Sequence, residues 1–331
     1  MILVTGGAGF LGTHLVAQLL AANESVRVLE RPGSSVDHLP LDQIELVRAD
    51  IRDEPAVRKA TQGCEYVYHL AADPNLWCRD RREFDKINHL GTIHVMRAAL
   101  DSGAKKILYT STESILSSHT PEERFVEKLR LKADDMVGPY CLSKFHAERA
   151  VFRMVKQGAP IIVVSPTLPV GPGDRQQTPP TRLSLAFCRG ELPGYLECNF
   201  NLIDARDVAT GMILAMKKGE TGIRYLLGAE NLRLSDWLKI LSEETQQPLP
   251  RWKVPYSLAL LVAWFSEMWA DHISGKMPMA TVTGVRLTRR NMFFDSSISL
   301  KELGLHPRPI REAARDAIAW YRPQGLALIC A

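Results

Sequence analysis

Residues 1–12, Met-Ile-Leu-Val-Thr-Gly-Gly-Ala-Gly-Phe-Leu-Gly, decide the fold of this chain. The apolar run 1–4 predicts a buried strand, and 13–22 has the pattern of an amphipathic helix. Between them lie the three glycines of a G-x-x-G-x-x-G pattern, Gly6, Gly9 and Gly12. Glycines at a strand–helix turn let the backbone approach a pyrophosphate, which then lies at the helix N-terminus. The stretch therefore predicts a dinucleotide-binding turn, although the commoner fingerprint is G-x-G-x-x-G.

The composition is that of an ordinary globular protein. Of the 331 residues, 46% are hydrophobic and 24% are charged, and the net charge of +4 is spread along the chain without a basic stripe. We therefore expect no nucleic-acid partner. The six cysteines lack metal-ligand spacing, which predicts reduced thiols, no metal site and a cytoplasmic location. Because the first predicted strand begins at residue 1, no signal peptide is expected.

Beyond the first helix, strands and helices alternate along the chain. Strands are predicted at 25–29, 44–48, 66–70, 106–110 and 161–164, with helices at 55–63, at 85–102 and within 133–157. This alternation predicts an α/β fold with a doubly wound parallel sheet of the Rossmann type. Ligands in such sheets bind outside the carboxyl ends of the strands, so the polar residues at those ends are expected to face one crevice.

The pattern changes after Pro166, where proline and glycine become frequent. Further helices are predicted at 181–189, 208–217, 234–245 and 311–321. We predict a dinucleotide-binding domain over 1–166 and a smaller C-terminal α/β substrate lobe over 167–331. The range 201–228 is expected to return to the first domain.

The most apolar window is 257–265, which Glu267 and Asp271 end far short of the length of a membrane span. We expect a core or lid helix there. The alternative is a helix that lies on a membrane surface, which the apolar C-terminal residues 326–331 also favour.

A second motif is Tyr140-Cys-Leu-Ser-Lys144, on a predicted helix. Residues four apart share one helical face, so the phenol and the ammonium can serve one site. A phenol with a pKa of about 10 needs a nearby positive charge to work as an acid–base group at neutral pH. Hydroxyls of residues 110–112, at the end of the fifth strand, can hydrogen-bond a substrate oxygen as its charge changes. The alternative is a solvated helix face without a catalytic role.

Together these motifs resemble the extended short-chain dehydrogenase/reductases over nearly the whole chain. The resemblance rests on residues 5–12, Asp50 with Asp53, 69–72, Asn88 with 91–92, 109–112, Tyr140 with Lys144, and 166–173. Within the family, the chain is most similar to hopanoid-associated sugar epimerases, which are related to dihydroflavonol reductases. That finer likeness rests on residues 71–77, 225–231, 283–286 and 292–294.

The resemblance implies roles for named residues. It makes Tyr140 the acid–base group, Lys144 the residue that holds the nicotinamide ribose and tunes Tyr140, and Thr112 the hydroxyl of the triad. It also implies cofactor contacts at Gly6, Gly9, Phe10, Leu11, Asp50, Ile51, Leu70, Ala71, Ala72, Tyr140, Lys144, Pro166 and Thr167. A homodimer is expected of the family as well.

Glu30 and Arg31, at the end of the second strand, favour different cofactors. An acid there would bind a ribose 2′-hydroxyl and select NAD(H), whereas an arginine accommodates the 2′-phosphate of NADP(H). With Ser34, Arg31 offers a charge-assisted phosphate site. We expect NADP(H), with NAD(H) as the alternative.

Substrate contacts are the least defined part of the sequence. The candidates are polar or aromatic residues beside the crevice: Leu76, Trp77, Glu113, Arg182, Asn201 and Arg206. The competing interpretations are lid packing for Trp77 and solvated charges for Glu113 and the arginines. Glu113 resembles an acid that sugar-nucleotide dehydratases use in elimination, but Ser114 replaces the second acid of that motif.

We therefore expect an NAD(P)-dependent enzyme that moves a hydride to or from a secondary alcohol or ketone of a small molecule, either a sugar or an isoprenoid-linked compound. It would be an epimerase if the cofactor stays bound. The alternative is a net NADPH-dependent ketone reductase of the dihydroflavonol reductase or 3β-hydroxysteroid dehydrogenase type, at a membrane surface or away from one. A non-catalytic dinucleotide-binding protein would be expected to lack Tyr140 or Lys144.

Overall fold

A computed structural model describes residues 1–116 and 132–324. The apolar C-terminal segment 326–331 lies outside the described residues. Twelve strands are described: β1 Ile2–Thr5, β2 Val26–Glu30, β3 Ile44–Arg48, β4 Tyr66–His69, β5 Lys106–Thr110, β6 Ile161–Pro166, β7 Leu168–Val170, β8 Gly194–Tyr195, β9 Asn199–Asp204, β10 Arg224–Leu227, β11 Glu230–Arg233 and β12 Trp252–Lys253.

Twelve α-helices accompany these strands in the described part of the chain: α1 Phe10–Ala21, α2 Glu54–Thr61, α3 Arg82–Phe84, α4 Thr92–Asp101, α5 Gly138–Lys156, α6 Pro179–Cys188, α7 Ala205–Lys218, α8 Leu234–Thr245, α9 Tyr256–Trp269, α10 Val282–Leu287, α11 Ser297–Leu303 and α12 Ile310–Tyr321. A π-helical segment, Asp85–Gly91, joins α3 to α4.

The main sheet has seven strands in the order β10-β6-β5-β4-β1-β2-β3, and every pairing in it is parallel. Because side chains alternate between the faces of a strand, Leu3 packs in one hydrophobic layer and Ile2 and Val4 pack in the other. Helices α1 and α7 cover one face, and α2, α4 and α5 cover the other. The predicted doubly wound α/β fold is confirmed.

The direction of winding reverses between β1 and β4, which lie side by side in the sheet. Such a switch point opens a crevice at the carboxyl ends of the two strands. The glycine turn follows β1, and residues 70–73 follow β4, so both segments border this crevice.

The rest of the chain builds a second layer of structure around a separate core. Strands β7, β9 and β11 form a small mixed sheet, and β8 pairs with β12. Trp237, Phe200 and Phe294 lie in this core, and so does Tyr140 from helix α5. Within the range 201–228, helix α7 and strand β10 pack on the main sheet, while β9 belongs to the small sheet. The domain boundary at residue 166 stays a prediction.

Two sequence expectations need correction. The single helix expected over 85–102 is interrupted by the wide turn of the π-helical segment Asp85–Gly91. Of the core or lid helix expected at 257–265, the core option is wrong, because α9 buries only Ala263 and leaves most of its large apolar side chains exposed. The lid helix and the membrane-surface helix stay predictions. No helix among the described residues has the length and apolar character required to cross a membrane.

Candidate active site

The glycine turn after β1 is shaped by close backbone contacts. Gly6 has a φ of +74°, and a Cβ there would lie 2.8 Å from the backbone nitrogen of Ala71. A Cβ on Gly12 would lie 2.1 Å from the carbonyl oxygen of Gly6. Glycine is therefore required at both positions, for the left-handed backbone at Gly6 and for the close approach of α1 at Gly12.

A groove of about 320 Å³ runs along the carboxyl ends of β1, β2 and β4. Its lining includes eleven of the residues predicted to bind the cofactor: Gly6, Gly9, Phe10, Leu11, Glu30, Arg31, Asp50, Ile51, Leu70, Ala71 and Ala72. Asp73, Pro74, Asn75 and Thr110 extend the lining towards the catalytic helix. The structure thus brings the residues of the glycine turn and of three strand ends into one continuous site, and their contacts with a cofactor stay predictions.

A buried polar chain holds the strand ends in place. Thr5 Oγ1 lies 2.7 Å from His69 Nδ1 and accepts a hydrogen bond from the backbone nitrogen of Ala71. His69 Nε2 lies 3.0 Å from Thr92 Oγ1, which donates to the carbonyl of Asn88. Burial lowers the pKa of His69 to about 3, so the ring is neutral, with its proton on Nε2. This chain fixes the backbone of Ala71 beside the groove.

Asn88 connects the groove to the helix that carries Tyr140. Its Oδ1 accepts from the backbone nitrogen of Asp73, and its Nδ2 donates to the Asp73 carbonyl and to Ser143 Oγ. Ser143 Oγ in turn donates to the carbonyl of Tyr140. The side chain of Asn88 is completely buried, and the π-helical turn around it places the amide between these partners. Asn88 is thus a positioning residue for both sides of the site.

Tyr140 and Thr112 lie together at the carboxyl end of β5. Both residues are buried, and Thr112 is close enough to Tyr140 to influence the pKa of its phenol. Burial raises the pKa of Tyr140 above its ordinary value, and the nearby Glu113 carboxyl raises it further. The isolated site therefore holds Tyr140 as a neutral phenol, the form that can donate a proton.

Glu113 is placed beside this pair and is buried. Thr112 Oγ1 donates to Glu113 Oε2 over 2.9 Å, and Ser114 Oγ donates to the other oxygen over 3.3 Å. Burial raises the pKa of Glu113 to about 7. Glu113 and Thr112 are therefore hydrogen-bonded to each other near Tyr140, so two titratable groups, Glu113 and Tyr140, lie in this part of the site.

Lys144 lies one turn after Tyr140 on α5. Its Nζ donates to the carbonyl of Thr110 over 2.7 Å and lies 4.7 Å from the centre of the Tyr109 ring. Burial lowers the pKa of Lys144 to about 7, against the attraction of Glu148. Because Thr110 lines the groove, the lysine ammonium is held at the junction of the groove and the Tyr140 pair.

The end of β2 carries both residues that bear on the choice of cofactor. Glu30 is buried, its Oε1 accepts from the backbone nitrogen of Ala8 over 2.7 Å, and burial raises its pKa. Arg31 is exposed, and its Nε lies 3.4 Å from Ser34 Oγ. Arg48 Nη1 donates to the Ser34 carbonyl and braces the same turn. The Glu30 carboxyl therefore holds the backbone of the glycine turn at Ala8, while Arg31 and Ser34 line the groove with hydrogen-bond donors.

The expected substrate residues lie in different surroundings. Trp77 is buried, and its Nε1 donates to Asp271. Both amide atoms of Asn201 bond within the chain, to Asn231 and to the backbone of Ala229. Arg206 pairs with Asp204 and Asp316. Arg182 is half-buried, and burial lowers the pKa of its guanidinium. Contacts of Trp77, Glu113, Arg182 and Asn201 with a substrate stay predictions.

The residues present fit a nicotinamide dinucleotide. The backbone cradle at Gly6 and Gly12 admits no side chain, as a pyrophosphate site requires. Near the expected nicotinamide end, Thr110 Oγ1 and Thr167 Oγ1 are buried without a hydrogen-bond partner among the residues described. A buried hydroxyl without a partner is costly, so these two atoms are suited to a polar group brought by a ligand.

Comparison with known proteins decides the family. The model of the NAD dependent epimerase/dehydratase family matches residues 2–228, which include the glycine turn, Thr112, Tyr140 and Lys144. The chain belongs to the NAD-dependent epimerase/dehydratase family. Members of this family are NAD(P)-dependent epimerases, dehydratases and reductases, and the chain is accordingly an enzyme of the extended short-chain dehydrogenase/reductase type.

Relatives in this family are similar along the whole chain. A putative dihydroflavonol 4-reductase of Synechocystis is 36% identical, over 97% of this chain and 94% of the relative. Sterol demethylase protein B of Methylococcus capsulatus is 32% identical, over 98% and 99%. The crystal structure of gox2253 is 35% identical, with a TM-score of 0.87 over 99% of both chains.

Sequence reasoning gave no separate role to Asn88, His69 or Arg48. Asn88 and His69 stood only among the residues of the family resemblance, because a single buried amide or imidazole carries no periodic signal. Arg48 looked like an ordinary charge at a strand end. A polar residue at the end of a largely apolar strand was the available sign for His69. The segment around Asn88 is itself polar and offered no such sign.

Proposed function

We propose that this enzyme is an NADP(H)-dependent reductase that converts a ketone on a largely apolar small molecule into a secondary alcohol. The observation that carries the proposal is the buried Tyr140 phenol, which lies near Thr112 and Glu113 beside a groove whose far end presents Arg31 and Ser34. A neutral phenol is the proton donor that ketone reduction requires.

Each of these side chains has a separate role in the proposed reaction. The nicotinamide, when bound, supplies the hydride that reduces the carbonyl carbon. Tyr140 donates its proton to the carbonyl oxygen. The Thr112 hydroxyl donates to Glu113 in this structure, and it would turn from Glu113 to hydrogen-bond the substrate oxygen as negative charge develops there. Lys144 holds the ribose, and its positive charge lowers the cost of forming the Tyr140 phenolate. Glu113, with a pKa of about 7, is the titratable group beside Thr112 that would resupply the proton Tyr140 gives up.

The surroundings of Tyr140 support an apolar substrate. The phenol lies in a hydrophobic cluster with Phe84, Ile115 and Leu116, and Leu76 packs against that cluster. An apolar setting around the reacting phenol favours a flavonoid or polycyclic skeleton, which buries apolar surface, over a polar sugar, whose hydroxyls each need a partner. The names of the two curated relatives, a dihydroflavonol reductase and a sterol demethylase component, favour the same class.

Stoichiometry tests the proposal. The enzyme is incubated with NADPH and, in separate reactions, a dihydroflavonol, a keto sterol or UDP-glucose, and both nucleotide and organic product are quantified. We expect one NADPH consumed for each alcohol formed from a polycyclic ketone. Conversion of UDP-glucose into its epimer without net loss of nucleotide would contradict a net reductase.

Arg31 provides a test of the cofactor choice. Arg31→Ala removes a charge-assisted hydrogen bond to the 2′-phosphate and is expected to weaken NADPH binding about tenfold, with NADH affinity unchanged. Arg97→Ala, an exposed arginine on α4, is the matched control. Fluorescence titration measures both affinities. An equal loss for NADH and NADPH would show that Arg31 does not recognise the phosphate.

A second candidate is an epimerase that keeps NAD(H) bound, and Glu30 is the observation that favours it. Only one carboxylate oxygen of Glu30 is needed to accept from Ala8, so the other can accept from a ribose hydroxyl in the groove. Purified protein that retains NAD, and exchanges it slowly, would favour this candidate. The homodimer and the cytoplasmic location stay predictions.

A further inference from the structure

Helix α9 presents an exposed apolar face. Its inner side, with Ala263, packs on the protein, while Leu258, Leu261, Phe265 and Trp269 point outward at spacings of three and four residues. Leu261, Phe265 and Trp269 are each more than half exposed, and Trp264, Met268 and Ile273 enlarge the patch. Trp252, on the neighbouring strand β12, is 73% exposed. Contiguous apolar surface of this kind marks a contact with a partner or a membrane.

The acids of this segment are turned away from the exposed face. Glu267 accepts from the backbone nitrogen of Val282 and pairs with Arg81. Asp271 accepts from Trp77 Nε1 and also pairs with Arg81. Residues 251–290 contain no other acid, but they contain six lysines and arginines. Both carboxylates are thus used to fix α9 to the loop after β4.

Cations flank α9, before and after it in the chain and at its first turn. Arg251 and Lys276 are exposed, and neither forms an ion pair with any residue in the described part of the chain. Arg289 lies over the Tyr256 ring at the first turn of α9. An apolar face with tryptophans, flanked by positive charge and free of exposed acids, complements a bilayer with anionic headgroups. A second copy of this chain would bring the same cations against each other.

The length of α9 fixes how it could meet a bilayer. Fourteen residues make a helix of about 21 Å, shorter than a hydrocarbon core of about 30 Å. The helix can therefore lie in the plane of the interface, with its apolar face inserted and its cations among the headgroups.

The inner side of α9 is connected to the candidate active site. Trp77 and Arg81, in the segment after β4, bind Asp271, and Thr283 at the start of α10 lies directly against Gly138. Gly138 is two residues before Tyr140 on α5. Helix α9 is thus connected, through the segment after β4 and through α10, to α5, the helix that carries Tyr140.

We propose that the exposed face of α9, with Trp252, docks the enzyme on an anionic lipid bilayer. The contact rests on the surface chemistry of α9 and does not depend on the proposed reaction. It would bring the site close to apolar substrates that are dissolved in the bilayer.

Cosedimentation with vesicles tests this contact without turnover. Vesicles of phosphatidylcholine alone are compared with vesicles that also contain phosphatidylglycerol. We expect the protein to sediment with the anionic vesicles and to be released from them by salt. Leu261→Ser with Phe265→Ser should reduce the partition coefficient by about tenfold or more, because two half-exposed apolar side chains no longer insert. Arg251→Glu with Lys276→Glu should reduce it by about tenfold.

Ile298→Ser is the matched control, since Ile298 is 59% exposed on α11. Circular dichroism and NADPH titration verify that every variant is folded, because none of these residues lines the groove. Protein that stays in the supernatant with both kinds of vesicle overturns the proposal. A dimer in light scattering that Leu261→Ser with Phe265→Ser dissociates, without vesicle binding, assigns the face to a second copy and overturns it as well.

Discussion

Tyr140→Phe is expected to lower the rate of ketone reduction by about a thousandfold, because the only group removed is the hydroxyl that protonates the carbonyl oxygen. The ring stays in its hydrophobic cluster, so the fold and the groove should be unchanged. NADPH affinity is expected to stay within about twofold, because the proton that Tyr140 donates acts in the reaction and does not hold the cofactor before it. Single-turnover NADPH oxidation separates the two effects.

Tyr66→Phe is the matched control for this substitution. Tyr66 begins β4, at the end of the sheet opposite to the groove, and is only partly buried. Its variant should keep the wild-type rate. If Tyr140→Phe kept a rate within tenfold of the wild type, another group would have to donate the proton, and Glu113 would be the nearest titratable candidate.

Gly12→Ala is expected to weaken NADPH binding by about a hundredfold or more and to destabilise the fold by about 1–3 kcal/mol. The new methyl group would lie 2.1 Å from the Gly6 carbonyl oxygen, which is backbone and cannot rotate away. Helix α1 would have to move outward, and its N-terminal amides would leave the position from which they reach a pyrophosphate. Titration and thermal unfolding measure the two effects.

Gly103→Ala separates this clash from the general cost of replacing a glycine. Gly103 has a φ of +77° after α4, and no heavy atom lies within 4 Å of an added Cβ. We expect a cost of about 1 kcal/mol and unchanged nucleotide binding. Wild-type affinity in Gly12→Ala would show that the turn does not hold the pyrophosphate.

The glycine turn and the order of the sheet were predictable because both follow from local patterns. A short apolar strand, closely spaced glycines and an amphipathic helix have few other arrangements, and alternating strands and helices favour a parallel sheet. Tyr140 and Lys144 could be placed on one face because they are four residues apart on a helix. The structure keeps these features, with α1 beginning earlier than expected, at Phe10.

Other features depend on contacts between distant segments, which no local pattern contains. From the sequence, Glu30 at a strand end can face either a ribose or the backbone of Ala8. Only the fold shows that its carboxyl accepts a hydrogen bond from the Ala8 nitrogen. The apolar window that became α9 has the composition of a core helix, and its local pattern does not show that the described residues leave its outer face exposed. Asn88 joins Asp73 to Ser143, which are 70 residues apart in sequence.

Nucleotide titration tests the account most directly. NAD, NADH, NADP and NADPH are added in turn to the purified enzyme, and binding is measured by its intrinsic fluorescence. We predict that NADPH binds more tightly than NADH, because Arg31 and Ser34 line the groove at the end of β2, where we expect the 2′-phosphate. Failure of all four nucleotides to bind would contradict the assignment of the groove and, with it, the hydride-transfer reaction.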